Sequence, residues 1–452
     1  MAIATIRQAL VVSALVLSGR RRVFYGWWLL AGSVLAMMVG SGVSFWAFGL
    51  YIEPLEEEFG WSRAAVTLGF SVSLLVSGLL SPFVGRWIDT YGPRRVILVG
   101  SVMTAATYVL LATTENLWQW YTYQSINAVF RQMMFFIPFQ ALISRWFDRR
   151  RAVAIGILAT GFSLAGMVVV PVMRVVIDAV GWEGSFIFSG VVVGVLFVPL
   201  ALFVIRDHPS DVGAMVDGDE ARPGQALPRG QAAPRLGGMT VRAAMRTPIF
   251  WLLALAFMAL FFGLFGWMVH AVPYFESVGR SPGWAAALVA IAAGGGVVSR
   301  LLFGFGVDRW FSIAVGSFYT VGFMGLSILV LLVSGGSVWG IVLFMIAFMI
   351  GSGGGPMLEP LLLTRAFGVR HFATILGMVV VVETLGQVVS PVVAGAIFDS
   401  TGEYDWALAM FSGAFLVSVL LFMVAVRLPF PYRASSVDVS VEAAESVEAS
   451  SP

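Results

Sequence analysis

From residue 25 onward the chain alternates between apolar runs about 20 residues long and short breaks that carry charge, proline or glycine. A helix of about 20 apolar residues spans the hydrocarbon core of a bilayer, so each run predicts one crossing. Twelve such runs centre near 25–50, 63–84, 95–113, 117–141, 152–174, 183–205, 248–273, 282–305, 312–334, 337–363, 371–397 and 404–426. The expected fold is all-α and membrane-embedded, with twelve transmembrane helices. An earlier run, QALVVSALVLS, is ended by Arg20, Arg21 and Arg22 and is too short to span. It lacks a small-residue cleavage site before the next long run, which favours an interfacial helix or loose cytoplasmic leader over a cleaved signal.

The longest break runs from Arg206 to Arg246 and is rich in proline, glycine and charge. It reads as a flexible linker between two six-helix halves. The expected organisation is a leader at 1–22, a first bundle at 23–206, a cytoplasmic linker at 207–245, a second bundle at 246–430 and a disordered cytoplasmic tail at 431–452. With the N-terminus in the cytoplasm, 22 arginines fall on that side, three outside (Arg63, Arg174, Arg280) and two within spans (Arg131, Arg300). The positive-inside rule supports that orientation, with both termini cytoplasmic in a plasma (inner) membrane. The halves also repeat. Gly60, Ser62, Gly85 and Asp89 recur as Gly279, Ser281, Gly304 and Asp308, each 219 residues later, and Pro171 and Asp178 are answered by Pro391 and Asp399. Two pseudo-symmetric six-helix bundles place a substrate near the bilayer midplane between them and move it by rocking.

Composition agrees and removes other classes. The chain is 59% hydrophobic and 12% charged, well away from a soluble domain. A net charge of +2 gives no footing for nucleic acid. There is no cysteine, which excludes thiolate metal sites and cysteine nucleophiles. All 27 basic residues are arginine, so every fixed cation is one that keeps its proton. His208, His270 and His371 fall in different segments, and neither H-E-x-x-H nor G-x-S-x-G occurs. An enzyme is not expected, nor a metal or cofactor. GSGGGP at Gly351 and the triple glycine at Gly294 have no following lysine and lie inside spans, which points to helix packing or bending and not to phosphate binding.

Three charges lie deep in the spans. Arg300 stands in AAALVAIAAGGGVVSRLLFGFG, where a guanidinium costs about 2.5 to 3.5 kcal/mol by insertion scales. Arg131 lies near the centre of helix four, in INAVFRQMMFFIPF, with Asn127 in the same stretch. Glu383 is about halfway along helix eleven, with Gln387 one turn on. Burial disfavours a charged carboxylate and a nearby arginine favours it, so Glu383 is the candidate proton carrier. His270 sits at an outer helix end, while Glu359, beside Pro360 and near Arg365, reads as a helix-end ion pair. Arg300 also admits a bridge to Asp308.

GRWIDTYGPRR, from Gly85 to Arg95, fits the G-x-x-x-D-x-x-G-x-R-R loop of the major facilitator superfamily at the place, between spans two and three, where that family carries it. Gly85 permits close helix approach, Asp89 can accept hydrogen bonds from a neighbouring helix end or arginine, and Gly92 with Pro93 makes the turn. The second copy, GFGVDRW, keeps Gly304, Asp308 and Arg309 but has Phe311 where the later glycine would fall. RWFDRRRAVAIGILATGFSLAG, from Arg145, resembles the fifth-helix signature of monocarboxylate transporters and their bacterial oxalate-formate relatives. YGWWLLA, GLYIEPLEEEFGWSRAAV and HAVPYFESVG resemble the same group. The resemblance implies gating roles for Gly85, Asp89, Gly92, Arg94, Arg95, Arg151, Asp308 and Arg309, and a carboxylate-binding role for Arg300. Two features depart from it: Gly296 stands where animal members carry an acid, and no lysine is available for helix one. Glu383 aligns with a lysine of the oxalate-formate antiporters, which argues against oxalate.

The expectation is a secondary transporter of small organic anions, functional as a monomer, most simply a proton-coupled carrier of lactate- or pyruvate-like monocarboxylates working by alternating access. Arg300, Arg131, Gln387, His270 and Asn127 are the candidate substrate contacts and Glu383 the proton site. Arg131, Arg300 and Glu383 sum to +1, which a monoanion neutralises. Proton-driven efflux of hydrophobic compounds, suggested by Phe45, Trp46 and Phe48 in the first helix, and dicarboxylate exchange are the alternatives.

Overall fold

The computed structural model describes residues 23–218 and 237–432, and these are helical almost throughout. Eleven helices among the described residues are long and apolar enough to cross a membrane. One of them, Arg151–Val204, is 54 residues long and breaks at Gly181, whose φ of 74° is open to glycine and strained for other residues. Counted on either side of that turn, the crossings number twelve. They are α1 (Tyr25–Phe59), α2 (Arg63–Tyr91), α3 (Pro93–Leu111), α4 (Leu117–Trp146), α5 (151–180), α6 (182–204), α7 (Pro248–Ser277), α8 (Pro282–Arg309), α9 (Ile313–Ser334), α10 (Val338–Phe367), α11 (Phe372–Thr401) and α12 (Asp405–Arg427).

The 219-residue repeat is visible as repeated structure. Gly60 and Gly279 both take positive φ, at 66° and 79°, and end the preceding helix. Ser62 and Ser281 then cap α2 and α8, their hydroxyls accepting from the amides of Ala65 and Trp284. Two helices are broken at matching places. The α4 helix is interrupted at Phe135 (φ −117°, ψ −122°), and α10 between Ser352 and Gly355. Phe135 and Gly354 are again 219 residues apart. Broken helices with half-helix ends at mid-depth are where transporters build their sites.

Outside, the bundle presents apolar side chains. Trp118, Trp339, Trp406, Trp310 and Trp28 are exposed near helix ends, as interfacial anchors are. Inside, small residues let backbones approach, because lipid supplies no hydrophobic drive for helix association. The two halves meet along α2 with α11 and α5 with α8. A Cβ on Gly304 would lie 2.6 Å from the carbonyl oxygen of Ala152, and one on Gly85 still closer to that of Ala373. Any side chain there would hold the halves apart.

Of the linker expected at 207–245, residues 219–236 lie outside the described residues, as do the leader at 1–22 and most of the tail. The described flanks of the linker are pinned. Asp217 accepts from the backbone amides of Asp148, Arg149 and Arg150, and Met239 donates its amide to the carbonyl of Phe367 at 2.8 Å.

Candidate functional site

A cavity of about 390 Å³ lies between the two halves. Most of its wall is apolar and aromatic: Phe45, Trp46, Phe136 and Phe162 from the first half, Phe261, Phe265, Trp267, Phe344 and Phe348 from the second. Set into that wall are Arg131, Arg300, Glu359, Glu383 and Gln387. The three charges expected at depth therefore do share one chamber, and a fourth joins them.

Arg300 reaches the chamber from the middle of α8. Its Nη1 donates to the Ser163 hydroxyl on α5, a bond across the two halves, while Nε is enclosed and has no partner. Gly296, one turn earlier, borders the guanidinium: a Cβ there would be 3.2 Å from the Ser352 hydroxyl and 3.8 Å from Nη1. Among the described residues no carboxylate forms a salt bridge with Arg300. The alternative bridge to Asp308 does not form, since that carboxylate accepts from the amides of Ala152 and Val153 instead. Arg131 stands in the last turn before the α4 break, where the carbonyl end of a half-helix favours a cation. Its Nη1 donates to the carbonyl of Ser44 at 3.2 Å, and the Ser44 hydroxyl pairs with Tyr108 at 2.9 Å. Arg131 is thus held by neutral groups on one side and faces the chamber on the other.

On the opposite wall Glu383 of α11 is 2% exposed and Glu359 of α10 is 6% exposed. Both line the same chamber with their carboxyl groups close enough to interact, and each keeps an enclosed Oε1 with no partner. The pairing expected between Glu359 and Arg365 is not what the chain adopts: Arg365 lies over the Phe430 ring, 5.7 Å from its centroid. The break at Gly353 and Gly354 explains the difference, because α10 runs on to Phe367 and Glu359 sits inside the span instead of at its rim.

Two further candidates are placed elsewhere. His270 is engaged by Tyr404 at Nδ1 (3.2 Å) and by the Pro391 carbonyl at Nε2 (2.9 Å), among α7, α11 and α12. Asn127 is buried within the first half and donates to Thr107 at 2.9 Å. Neither side chain is part of the chamber wall. In both cases a polar group inside a bundle has found a local partner.

The motif residues close one end of the bundle, the end that carries Val23 and Tyr432. Asp89, at the end of α2, accepts from the amides of Ala373 (3.3 Å) and Thr374 (2.9 Å) and from the Thr374 hydroxyl (2.6 Å). It thereby caps α11 of the other half, and Arg145 lies 3.9 Å from it. Asp308 caps α5 in the same way from the second half. Arg151 donates to Asp148 at 2.9 Å and to Thr364 of α10 at 3.4 Å, bridging the halves. Arg94 works within its own half, holding the carbonyls of Ala201 (2.9 Å) and Leu202 (2.7 Å) at the end of α6, with its amide on Asp207. Gly92 makes the tight turn with φ 85°. Arg95 is exposed, and Arg309 lies over the Phe305 ring. His208, just past α6, is pushed below the usual imidazole value by burial and by the charge of Arg145. Among the described residues, the hydrogen bonds between the halves lie at this end or at the chamber.

Comparison with known proteins gives the family and agrees with the fold. The profile described as "Major Facilitator Superfamily" matches residues 33–364. The chain is 28% identical over 265 residues to the oxalate:formate antiporter of Oxalobacter formigenes, an alignment covering 59% of this chain and 58% of that one. It is 29% identical to human monocarboxylate transporter 11, across 87% of this chain and 81% of the other. Among solved structures, the proton:xylose symporter superposes with a TM-score of 0.69 at 13% identity, covering 88% and 95% of the two chains. The fucose:proton symporter of E. coli gives 0.66 at 12% identity, covering 89% and 99%.

Proposed function

The chain belongs to the major facilitator superfamily, a family of transporters and not of enzymes, and we propose that this multi-pass membrane protein carries organic monocarboxylates together with a proton, by alternating access. One observation carries the reading: Arg300 lines the chamber between the halves with an enclosed, unpartnered Nε, and among the described residues no acid pairs with its guanidinium. A guanidinium fork binds a carboxylate through two parallel charged hydrogen bonds, and a bound anion offsets the cost of its burial. Arg131 adds a second cation on the other half, so a substrate anion held between them senses both bundles. The relatives named as monocarboxylate and oxalate:formate carriers support a small organic carboxylate as substrate, and the former a monocarboxylate.

The arginine distribution supports an orientation with the closed end, carrying Asp89 and Asp308, toward the cytoplasm. In this arrangement the chamber is shut off from that side. A thermal-shift screen of the purified protein against small mono- and dicarboxylates tests the reading, with Arg300→Ala as control. Stabilisation by monocarboxylates that vanishes in the variant supports it; stabilisation that survives overturns it. The aromatic wall favours a second reading, export of hydrophobic compounds. Binding of ethidium unaffected by Arg300→Ala would select that instead.

A further inference from the structure

We propose that Glu359 and Glu383 form a single two-carboxyl site that holds and exchanges one proton per transport cycle. The cargo in this proposal rests on the monocarboxylate reading above; the proton chemistry does not.

The two glutamates come from different helices and meet inside the protein. Glu359 stands shortly after the break at Gly353 and Gly354, and Glu383 in the middle of α11. An ionised carboxylate only accepts hydrogen bonds, so two of them can bond to each other only if one carries a proton. Two bare carboxylates in contact in a dry interior repel, and relief must come from a cation or from that proton.

Among the described residues no cation is in ion-pair contact with either carboxylate. Around the pair, Arg131 of α4 is bound to Ser44 and Arg300 of α8 to Ser163. Arg145 and Asp89 face each other at the closed end, and Arg151 of α5 is taken by Asp148 and Thr364. His270 of α7 bonds to Tyr404 and Pro391, Arg365 of α10 lies over Phe430, and α9 offers only Tyr319. Among the described residues neither glutamate forms an ion pair. Each glutamate keeps an enclosed Oε1 with no partner, and both residues line the chamber, through which the shared proton exchanges.

The pseudo-symmetry shows that the pair belongs to one half only. The position 219 residues before Glu359 is Gln140, which also lines the chamber and is neutral. With both glutamates ionised, they and the two arginines sum to zero. A proton on the pair and a monoanion at the arginines restore zero, so the loaded and empty chambers carry the same charge. Either partner alone leaves a buried unit charge, which is the physical basis of coupling. Loss of the proton also sets the glutamates against each other, and the break beside Glu359 is where α10 can yield.

Infrared titration of the purified protein tests the site without any substrate. Wild type should show a protonated carboxyl C=O band that is lost in one step as pH rises. Glu359→Gln and Glu383→Gln should each abolish or move that band, because the proton is shared. A single variant whose band and midpoint match wild type overturns the proposal, as does a wild-type band that never titrates. In proteoliposomes, pH-driven accumulation should be lost in both variants, and the double variant should be no worse than either. Equal infrared results with no transport of any carboxylate would overturn the cargo alone.

Discussion

Asp89 and Thr374 are joined by two hydrogen bonds, from the amide at 2.9 Å and the hydroxyl at 2.6 Å, although they belong to opposite halves of the protein. Asp308 repeats the arrangement on Val153 at 2.9 Å. Each motif aspartate is therefore a cap supplied by one bundle to a helix of the other. A cap of this kind exists only while that end is shut, so under the alternating access proposed above it stabilises the shut state.

Hydrogen bonds to a charged group contribute about 1.5 to 3 kcal/mol, enough to move a two-state equilibrium by roughly ten- to hundredfold. Asp89→Ala should accordingly open the closed end. The chain has no cysteine, so a single Ser144→Cys probe, buried near that end, reports on it directly. Maleimide labelling of the probe should accelerate in Asp89→Ala. An unchanged rate would mean that the cap is not what holds this end shut.

Gly304 makes a complementary prediction. A methyl group there meets the Ala152 backbone, which cannot move aside as a flexible side chain would. Gly304→Ala should disfavour the closed arrangement and slow transport while leaving the protein folded, with Ser144→Cys again labelled faster. If transport and labelling both stay at the wild-type level, α5 and α8 do not need this approach.

Arg300→Lys keeps the charge and loses the fork. With one charged hydrogen bond to the carboxylate gone, uptake of a monocarboxylate should fall about ten- to hundredfold. His270→Gln, in contrast, should leave the apparent affinity unaltered, because His270 answers to Tyr404 and Pro391 and not to the chamber. A lowered affinity in the histidine variant would return that residue to the site.

The bundle was legible in the sequence because hydrocarbon thickness sets the length of each run, and the halves because their glycines and aspartates keep a fixed spacing. Arg300, Arg131, Glu383 and Gln387 stood out as polar groups at depth. Glu359 did not, because its depth depends on the α10 break, and GSGGGP marks flexibility without fixing where the helix resumes. The break at Phe135 has no glycine at all. Nor could the aromatic wall be read in advance: lipid and chamber are both bordered by apolar residues, so hydropathy does not tell an inward phenylalanine from an outward one. The pairing of Ser163 with Arg300 joins two helices more than a hundred residues apart in sequence and follows only from the packed halves.

The same wall makes the last prediction. A cavity of about 390 Å³ is large for a three-carbon acid, and beyond the polar groups its surface is apolar, with aromatic rings from both halves. Burying one further methylene against such a surface is favourable by about 0.8 kcal/mol, or roughly fourfold in affinity. Along a series of straight-chain monocarboxylates, affinity should therefore rise with length until the chamber is full, with benzoate above acetate. Trp46 and Phe265 lie on opposite halves and both face this space. Shortening either to alanine should flatten the series while leaving the shortest acid almost unaffected, since only the carboxylate end is then held, at the arginines. Competition binding across the series distinguishes the two outcomes: a slope that depends on the wall places the substrate body against it, and a flat wild-type series would mean that these rings line a passage that the bound acid does not touch.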